Sequence, residues 1–426
     1  MNKKVSENDL SHANHTVRLG GFQAWLTWII GTVFVLFLFN LQTGYNVLNS
    51  DIQQEVGLTL IQVSAIASVY TLIFAIAQLF SGSLLDRFGV RLLIPCAIFI
   101  VTLGAFILAQ AHNYKMILLS QVVMALGAAF GFVGAGYIGG KWFGMAKFGF
   151  MFGLVQASAS FGSLFGGELI NLALSKMPWR SVIDYFVYFG LGLTVIGFLC
   201  VKDPEPMNQQ HHQNVFKKVF FSLKEVLKNH QIWLNCLTGA FLFGGLLSLA
   251  VVWGAKIIHA HCICISVEKA NFASLMIWLG LGIGSIFIDK VCDIFKSRKH
   301  VIIGSSIIFA SAVLILVYVH QNFIMACIIM FIVGLANAGH MVAFTISVEL
   351  VPIELTGTSA ALTNGAMFIV GGLLISIPGR IIAFEGGMSL EHLQSAMLPI
   401  VIINVVLAVI CIFFLQETYH LNKTPK

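Results

Sequence analysis

Charge is what this chain has least of. Of its 426 residues only 10% are Asp, Glu, Lys or Arg, against 58% apolar, and the mean hydropathy is +0.91. So little charge cannot coat a water-facing surface, which excludes a soluble globular protein and makes lipid the solvent for most of the chain. Long polar stretches are as scarce, leaving almost nothing for the soluble domain that a sensor would carry. The 8 cysteines sit mostly inside apolar segments (Cys96, Cys200, Cys236, Cys327, Cys411), where a thiol acts as a small hydrophobe, so they form no disulfide framework. There is no Walker-type loop for a nucleotide. No apolar segment holds the nucleophile, metal or paired-acid spacing that a membrane enzyme needs, so neither catalysis nor a cofactor is expected.

What remains is a series of apolar runs. At roughly 20 apolar residues per helical span, a chain of this length holds about twelve. They are read at roughly 23–45, 61–85, 92–111, 116–140, 148–174, 181–201, 232–256, 270–290, 301–319, 323–349, 357–384 and 394–416. The first run is too long for a signal-peptide core and reads as a span, not a leader. The net charge of +6 is scattered through short gaps, which argues against nucleic acid as a partner. With the N-terminus inside, about 18 of the 24 Lys and Arg fall on the cytoplasmic side and about 6 outside, placing both termini in the cytoplasm of a bacterial-type inner membrane.

The longest hydrophilic stretch, 202–231, opens on Lys202-Asp203-Pro204-Glu205-Pro206 and divides the spans six and six. The expected organisation is therefore a tail (1–21), a six-helix bundle (22–201), a linker (202–231), a second bundle (232–416) and a tail (417–426). In the linker Phe216, Phe220, Leu223 and Leu227 share a helical face, with Lys217, Lys218, Lys224 and Lys228 elsewhere, a pattern suited to an anionic leaflet. Asp86-Arg87-Phe88-Gly89-Val90-Arg91 follows span 2, and Asp293 with Arg298-Lys299 follows span 8. The two aspartates are 207 residues apart, close to half the chain, which points to an internal duplication with a central site between the halves.

Gly82-Ser83-Leu84-Leu85-Asp86-Arg87-Phe88-Gly89-Val90-Arg91, lying between spans 2 and 3, resembles the loop signature of the major facilitator superfamily. The resemblance implies an all-α membrane fold of 12 helices in two pseudo-symmetric halves that work by alternating access. It also implies that Asp86, Arg87 and Arg91, with Asp293, Arg298 and Glu349, form a charge latch between the halves. Several positions depart from the family pattern. Asp289 and Lys296 stand where the second copy of the signature has Gly, and Thr356 replaces the Arg of the loop that opens on Glu349-Leu350-Val351-Pro352. Gln121 and Ala125 stand where span 4 often has an Arg and, four residues on, a Gly. Gly153, Gly162 and Gly166 follow the antiporter pattern of span 5, but Gly167 replaces its Pro. The general style is similar to the phagosomal amino-acid and lysosomal dipeptide transporter branch.

In-span polar residues are costly against lipid and so nominate a site. For the solute cavity these are Asn40, Gln42, Tyr45, Gln121, Gln156, Asn235, Asn337, His340 and Asn364. His340, in mid-span, can carry a proton near neutral pH, and Glu168, the in-span carboxylate of span 5, serves as a proton site or as a gate paired with Arg180 or Arg380. His259-Ala260-His261-Cys262-Ile263-Cys264 supplies metal-type donors, but its spacing fits no standard zinc site and no metal is assigned. The expected function is a secondary transporter of a small polar solute, amino acid or short peptide favoured, with protons as coupling ion. The alternative is an exporter of a siderophore, drug or other amphipathic compound.

Overall fold

Backbone polar groups inside hydrocarbon have no water to bond, so each crossing must satisfy its own, and helices do so. A computed structural model describes residues 19–204, 215–261, 265–386 and 389–419. Among them twelve helices are long and apolar enough to cross a membrane. They are α1 (Phe22–Val56), α2 (Leu60–Phe88), α3 (Val90–Ala109), α4 (Tyr114–Phe143), α5 (Phe148–Leu174), α6 (Trp179–Cys200), α7 (His230–His261), α8 (Val267–Phe295), α9 (Lys299–Tyr318), α10 (Phe323–Glu349), α11 (Thr356–Phe384) and α12 (Leu390–Phe414). A linker helix, Val215–Leu227, separates six from six.

The expected spans hold, with extensions of five residues or more in α1, α7 and α8. α1 continues past 45 to Val56, and α7 continues past 256 to His261, so His259 and His261 belong to a helix and not to a loop. Three spans are irregular. α4 breaks after Ala128 and α10 after Asn337, at corresponding places in the two halves, and α7 widens into a π turn over Leu249–Trp253.

Helix starts are capped in two ways, by local side chains and by carboxylates remote in sequence. At the end away from the termini, α2, α4, α8, α10 and α12 carry local caps: the side chains of Thr59, Asn113, Ser266, Asn322 and Ser389 each accept a backbone N–H of the first turn. At the terminal end α3, α9 and α11 have no side-chain cap of their own. Carboxylates remote in sequence take that place, and one of them bridges the halves.

The halves meet along two seams, α2 with α11 and α5 with α8. Both seams need glycine. A Cβ on Gly82 would overlap the carbonyl oxygen of Gly357, and one on Gly153 would overlap that of Ser285. Gly162 and Gly166 instead pack on Leu36 and Asn40 of α1, inside the first half. The glycine face of α5 is thus accounted for by close packing.

Candidate solute cavity and the end that closes it

The breaks in α4 and α10 lie at the level where the halves enclose a small cavity. Its wall takes Leu38, Phe39 and Gln42 from α1, Phe74 from α2, Ala128 and Phe132 from α4, and Gln156 from α5. The second half adds Phe243 from α7, His340 and Phe344 from α10, and Asn364, Met367 and Phe368 from α11. Six of these are phenylalanines, and no lining residue among those described is charged. Ring contacts run round the wall: Phe74 to Phe368 at 4.7 Å, Phe368 to Phe243 at 5.8 Å, and Phe243 to His340 at 4.7 Å between centroids. The free space is about 20 Å³, room for about one water, so in this conformation the centre is closed on itself.

Its polar groups are few and directional. His340 is 1% exposed, and its Nδ1 lies 2.7 Å from the carbonyl oxygen of Asn337. A carbonyl only accepts, so Nδ1 carries the proton in the neutral ring and Nε2 keeps its lone pair. Gln156 donates to Ser160 Oγ at 3.2 Å. Asn364 is 2% exposed, and its Nδ2 has no partner among the described residues. A side chamber of about 10 Å³ adjoins the cavity through Leu38, Gln42 and Ala128, and Gln121, whose Nε2 is likewise unpartnered, lines it with Tyr70.

At the terminal end the seam is held by Asp86. Its carboxylate accepts from the Gly357 N–H at 3.0 Å, the Thr358 N–H at 2.9 Å and the Thr358 hydroxyl at 3.0 Å, while Ser83 Oγ lies 2.8 Å from Thr358 Oγ1. A carboxylate from α2 thus caps the N-terminus of α11, where orphan N–H groups and the helix dipole favour negative charge.

The sequence matches the Major Facilitator Superfamily over residues 28–262 and 255–426, nearly the whole chain. The chain belongs to that superfamily. It is 22% identical to an uncharacterized transporter, YybO, of Bacillus subtilis, over 91% of this chain and 94% of the relative. It is also 22% identical to the quinolone resistance protein NorA of Staphylococcus aureus, over 66% of this chain and 70% of the relative. The crystal structure of the Escherichia coli fucose:proton symporter FucP superposes with a TM-score of 0.64 at 17% identity, covering 90% of this chain and 99% of that one, and shows the shared fold. The protein is a multi-pass membrane transporter of the secondary kind and not an enzyme.

Within this superfamily frame the nominated residues separate. Gln42, Gln156, His340 and Asn364 reach the cavity wall, and Gln121 reaches the side chamber. Three others do not line it. Asn40 donates to Leu36 O at 2.8 Å, Asn235 to Ala343 O at 2.7 Å and Ser347 Oγ at 2.8 Å, and Asn337 to Leu242 O at 2.5 Å. The last two tie α7 to α10 and act as interhelical bonds. The side chains of Tyr45 and Glu168 lie outside the described residues. Arg180, weighed as a partner of Glu168, is instead engaged by Glu55 at 2.8 Å and by the carbonyls of Ala109 and Ala111. The phenylalanine wall was missed because 36 phenylalanines spread over apolar spans give no signal of which face an enclosed space.

The latch also departs from expectation. Arg91 is exposed, and the contact seen there is its backbone N–H, 3.4 Å from Asp203 Oδ1. Asp293 accepts from the Tyr419 hydroxyl at 3.1 Å, inside its own half. Arg87 lies over the Phe88 ring. Arg298 pairs with Asp289 at 2.5 Å and Glu349 at 3.5 Å, again within one half, and Asp289 abuts Gly149 at the α5–α8 seam. Burial disfavours the Arg298 charge, but Glu349 and Asp289 outweigh it and raise its pKa further. Asp86, of the six nominated residues, hydrogen-bonds across the halves, to Gly357 and Thr358.

Two further carboxylates act as caps that sequence reasoning overlooked. Asp203, three residues beyond α6, accepts from the Val90 N–H at 2.7 Å at the start of α3. Glu417, three residues beyond α12, accepts from the Arg298 N–H at 2.8 Å and from the Ser297 hydroxyl at the start of α9. Burial pushes the Asp203 carboxyl up. At Glu417 burial is outweighed by the Ser297 hydroxyl and the backbone N–H groups, which hold it below its ordinary value. The repeat persists in backbone too, since Lys296 takes the positive φ of 50° where Gly89, 207 positions earlier, has 71°.

No group of three or more His, Cys, Asp or Glu among the described residues is placed to hold a metal. His259 Nδ1 lies 2.9 Å from Ile265 O and His261 Nε2 2.7 Å from Val317 O. Cys262 and Cys264 lie outside the described residues.

Proposed function

We propose that this protein carries a small, uncharged polar solute across a bacterial inner membrane by alternating access, coupled to protons, with both termini in the cytoplasm. The observation that carries the reading is the cavity wall: Gln42, Gln156, His340 and Asn364 set among six phenylalanines, with no charged residue among those described. An amino acid or dipeptide brings an ammonium and a carboxylate, and burying either without a counter-charge is costly. Hydroxyl or amide groups match the wall better, since Asn364 offers a donor and His340 Nε2 an acceptor, while an apolar face of the solute lies against the rings. The shared fold with a fucose:proton symporter is compatible with this. His340 is the one titratable side chain on the described wall, and so the candidate there for carrying the coupling proton. The excess of Lys and Arg in the gaps on the side of the termini supports the orientation.

Thermal stabilisation of the detergent-purified protein across sugars, polyols, nucleosides, amino acids, dipeptides and amphipathic drugs tests the assignment, because a ligand bound only by the folded state raises its apparent stability. A shift with a neutral polar solute, followed by uptake that collapses when the pH gradient is dissipated, is the expected result. Stabilisation by zwitterions alone overturns the neutral-solute reading. The six phenylalanines favour a second reading, export of an amphipathic compound, in keeping with the relative named as a quinolone resistance protein. A panel responsive only to bulky amphipathic compounds selects it.

A further inference from the structure

The linker helix has no part in the transport reading, yet its described side chains form two distinct faces. Val226 is 1% exposed and packs with Ile232 and Cys236 against Leu350, Val351 and Leu355. Leu223 and Leu227, expected on one stripe with Phe220, are half-buried. The outward face carries Phe220 and Phe221, 70% and 62% exposed, together with the exposed Lys224 and Lys228. Two bare aromatic rings sharing a face with two lysines are poorly suited to water and well suited to a headgroup layer, where rings sink and ammonium groups reach phosphate.

Two tryptophans give the depth of the helix. Trp233 Nε1 donates to Leu227 O at 2.8 Å, tying the end of the linker helix to the first turn of α7. Trp233 is 48% exposed, and Trp25, at the same end of the bundle in α1, is 44% exposed. Half-exposed tryptophans at span ends sit at the headgroup level, so the helix tied to Trp233 lies there too.

We propose that the Phe220, Phe221, Lys224, Lys228 face docks on anionic phospholipid headgroups of the leaflet on the side of the termini, and that this docking steadies the closed end of the transporter. Charge complementarity selects anionic over zwitterionic lipid. Lys228 already pairs with Glu225 at 2.7 Å, but both are exposed, and such a pair yields readily to a phosphate. The link to the seam is direct in the chain. Val226 rests on the connection from α10 to α11, immediately before Gly357 and Thr358, which Asp86 caps.

The test titrates the full-length protein in neutral detergent with phosphatidylglycerol or with phosphatidylcholine and follows its melting temperature. Phosphatidylglycerol is expected to act at concentrations about tenfold lower than phosphatidylcholine, an advantage that fades as salt is raised. K224Q/K228Q should remove the advantage and K224R/K228R should keep it; both change exposed side chains only, so folding is not at stake. F220S/F221S should weaken the response to both lipids. An equal response of the unaltered protein to the two lipids, as for a patch that binds another protein, overturns the proposal. So does a preference for phosphatidylglycerol that survives K224Q/K228Q.

Discussion

Asp86 illustrates how a side chain's role follows from what its partner offers. The family resemblance places an Arg near the start of α11, but Thr356 stands there and its hydroxyl turns back to Ile353 O at 2.9 Å. The carboxylate meets the helix N-terminus itself, whose N–H groups and dipole replace the missing guanidinium. Hydrogen bonds to a charged group contribute about 1.5–3 kcal/mol each at most, so Asp86→Asn should weaken the closed end by about 1–3 kcal/mol. The check is labelling of a cysteine placed on the cavity wall by a reagent added from the side of the termini. Faster labelling in Asp86→Asn is expected, and an unchanged rate in a well-expressed variant rules out the latch.

His340 makes a second residue-scale case. One ring nitrogen is committed to Asn337 O, so the other alone is left to bind a solute group or a proton. His340→Gln retains hydrogen bonding but cannot take a proton. Binding of the solute should survive within about tenfold, as for loss of one hydrogen bond, while uphill uptake driven by a pH gradient is lost. Retained uphill uptake in that variant would move proton coupling elsewhere.

At the scale of elements, α7 and α11 are joined where α7 has its π turn and α11 its internal proline. Pro378 has no N–H, which frees the carbonyl of Leu374 within α11, and Ser248 donates to it at 2.7 Å at the edge of the π turn. Trp253 Nε1 adds a bond to Ile375 O at 3.0 Å. Pro378→Ala supplies Leu374 with an intrahelical donor that competes with Ser248. Protection from exchange of the new N–H that the substitution creates at position 378, and faster exchange around Leu249–Trp253 than in the unaltered protein, are the expected pair of observations.

The far ends of α1 and α6 give a pH-dependent counterpart. Glu55 accepts from Arg180 and from Trp179 Nε1 at 2.6 Å, and these bonds hold its carboxyl below the ordinary value. A pKa lowered by folding means stability that is fully present above the unfolded value and lost as pH falls through the folded one. Melting temperatures of the unaltered protein and Glu55→Gln should therefore differ at neutral pH and converge in acid. Because Glu55 is half exposed, solvent screening keeps the difference small.

At the scale of the whole molecule, three carboxylate caps divide the labour. Asp203 and Glu417 close α3 and α9 within their own halves, and each sits three residues after the last span of its half. Asp86 caps α11 across the halves. In a rocking carrier the first two caps move with their bundle and stay made, whereas the third must break when the terminal end opens. The seam glycines fit the same division, because Gly82 against Gly357 permits a contact close enough for the cap to form.

The sequence by itself determined the solvent, the spans and the six-plus-six division, because hydrophobic run length and short local caps such as Thr59 and Asn113 depend on neighbours within a few residues. It also pointed to Gln42, Gln156, His340 and Asn364, since a polar group within an apolar run stands out whatever its partner. Only the tertiary structure decided which amides face the cavity and which tie α7 to α10, that the wall is phenylalanine, and that Asp203, Glu417 and Asp86 cap helices more than a hundred residues away or in the other half. Those outcomes depend on the rotation of each helix about its axis and on partners far along the chain, which a uniformly apolar run leaves unspecified.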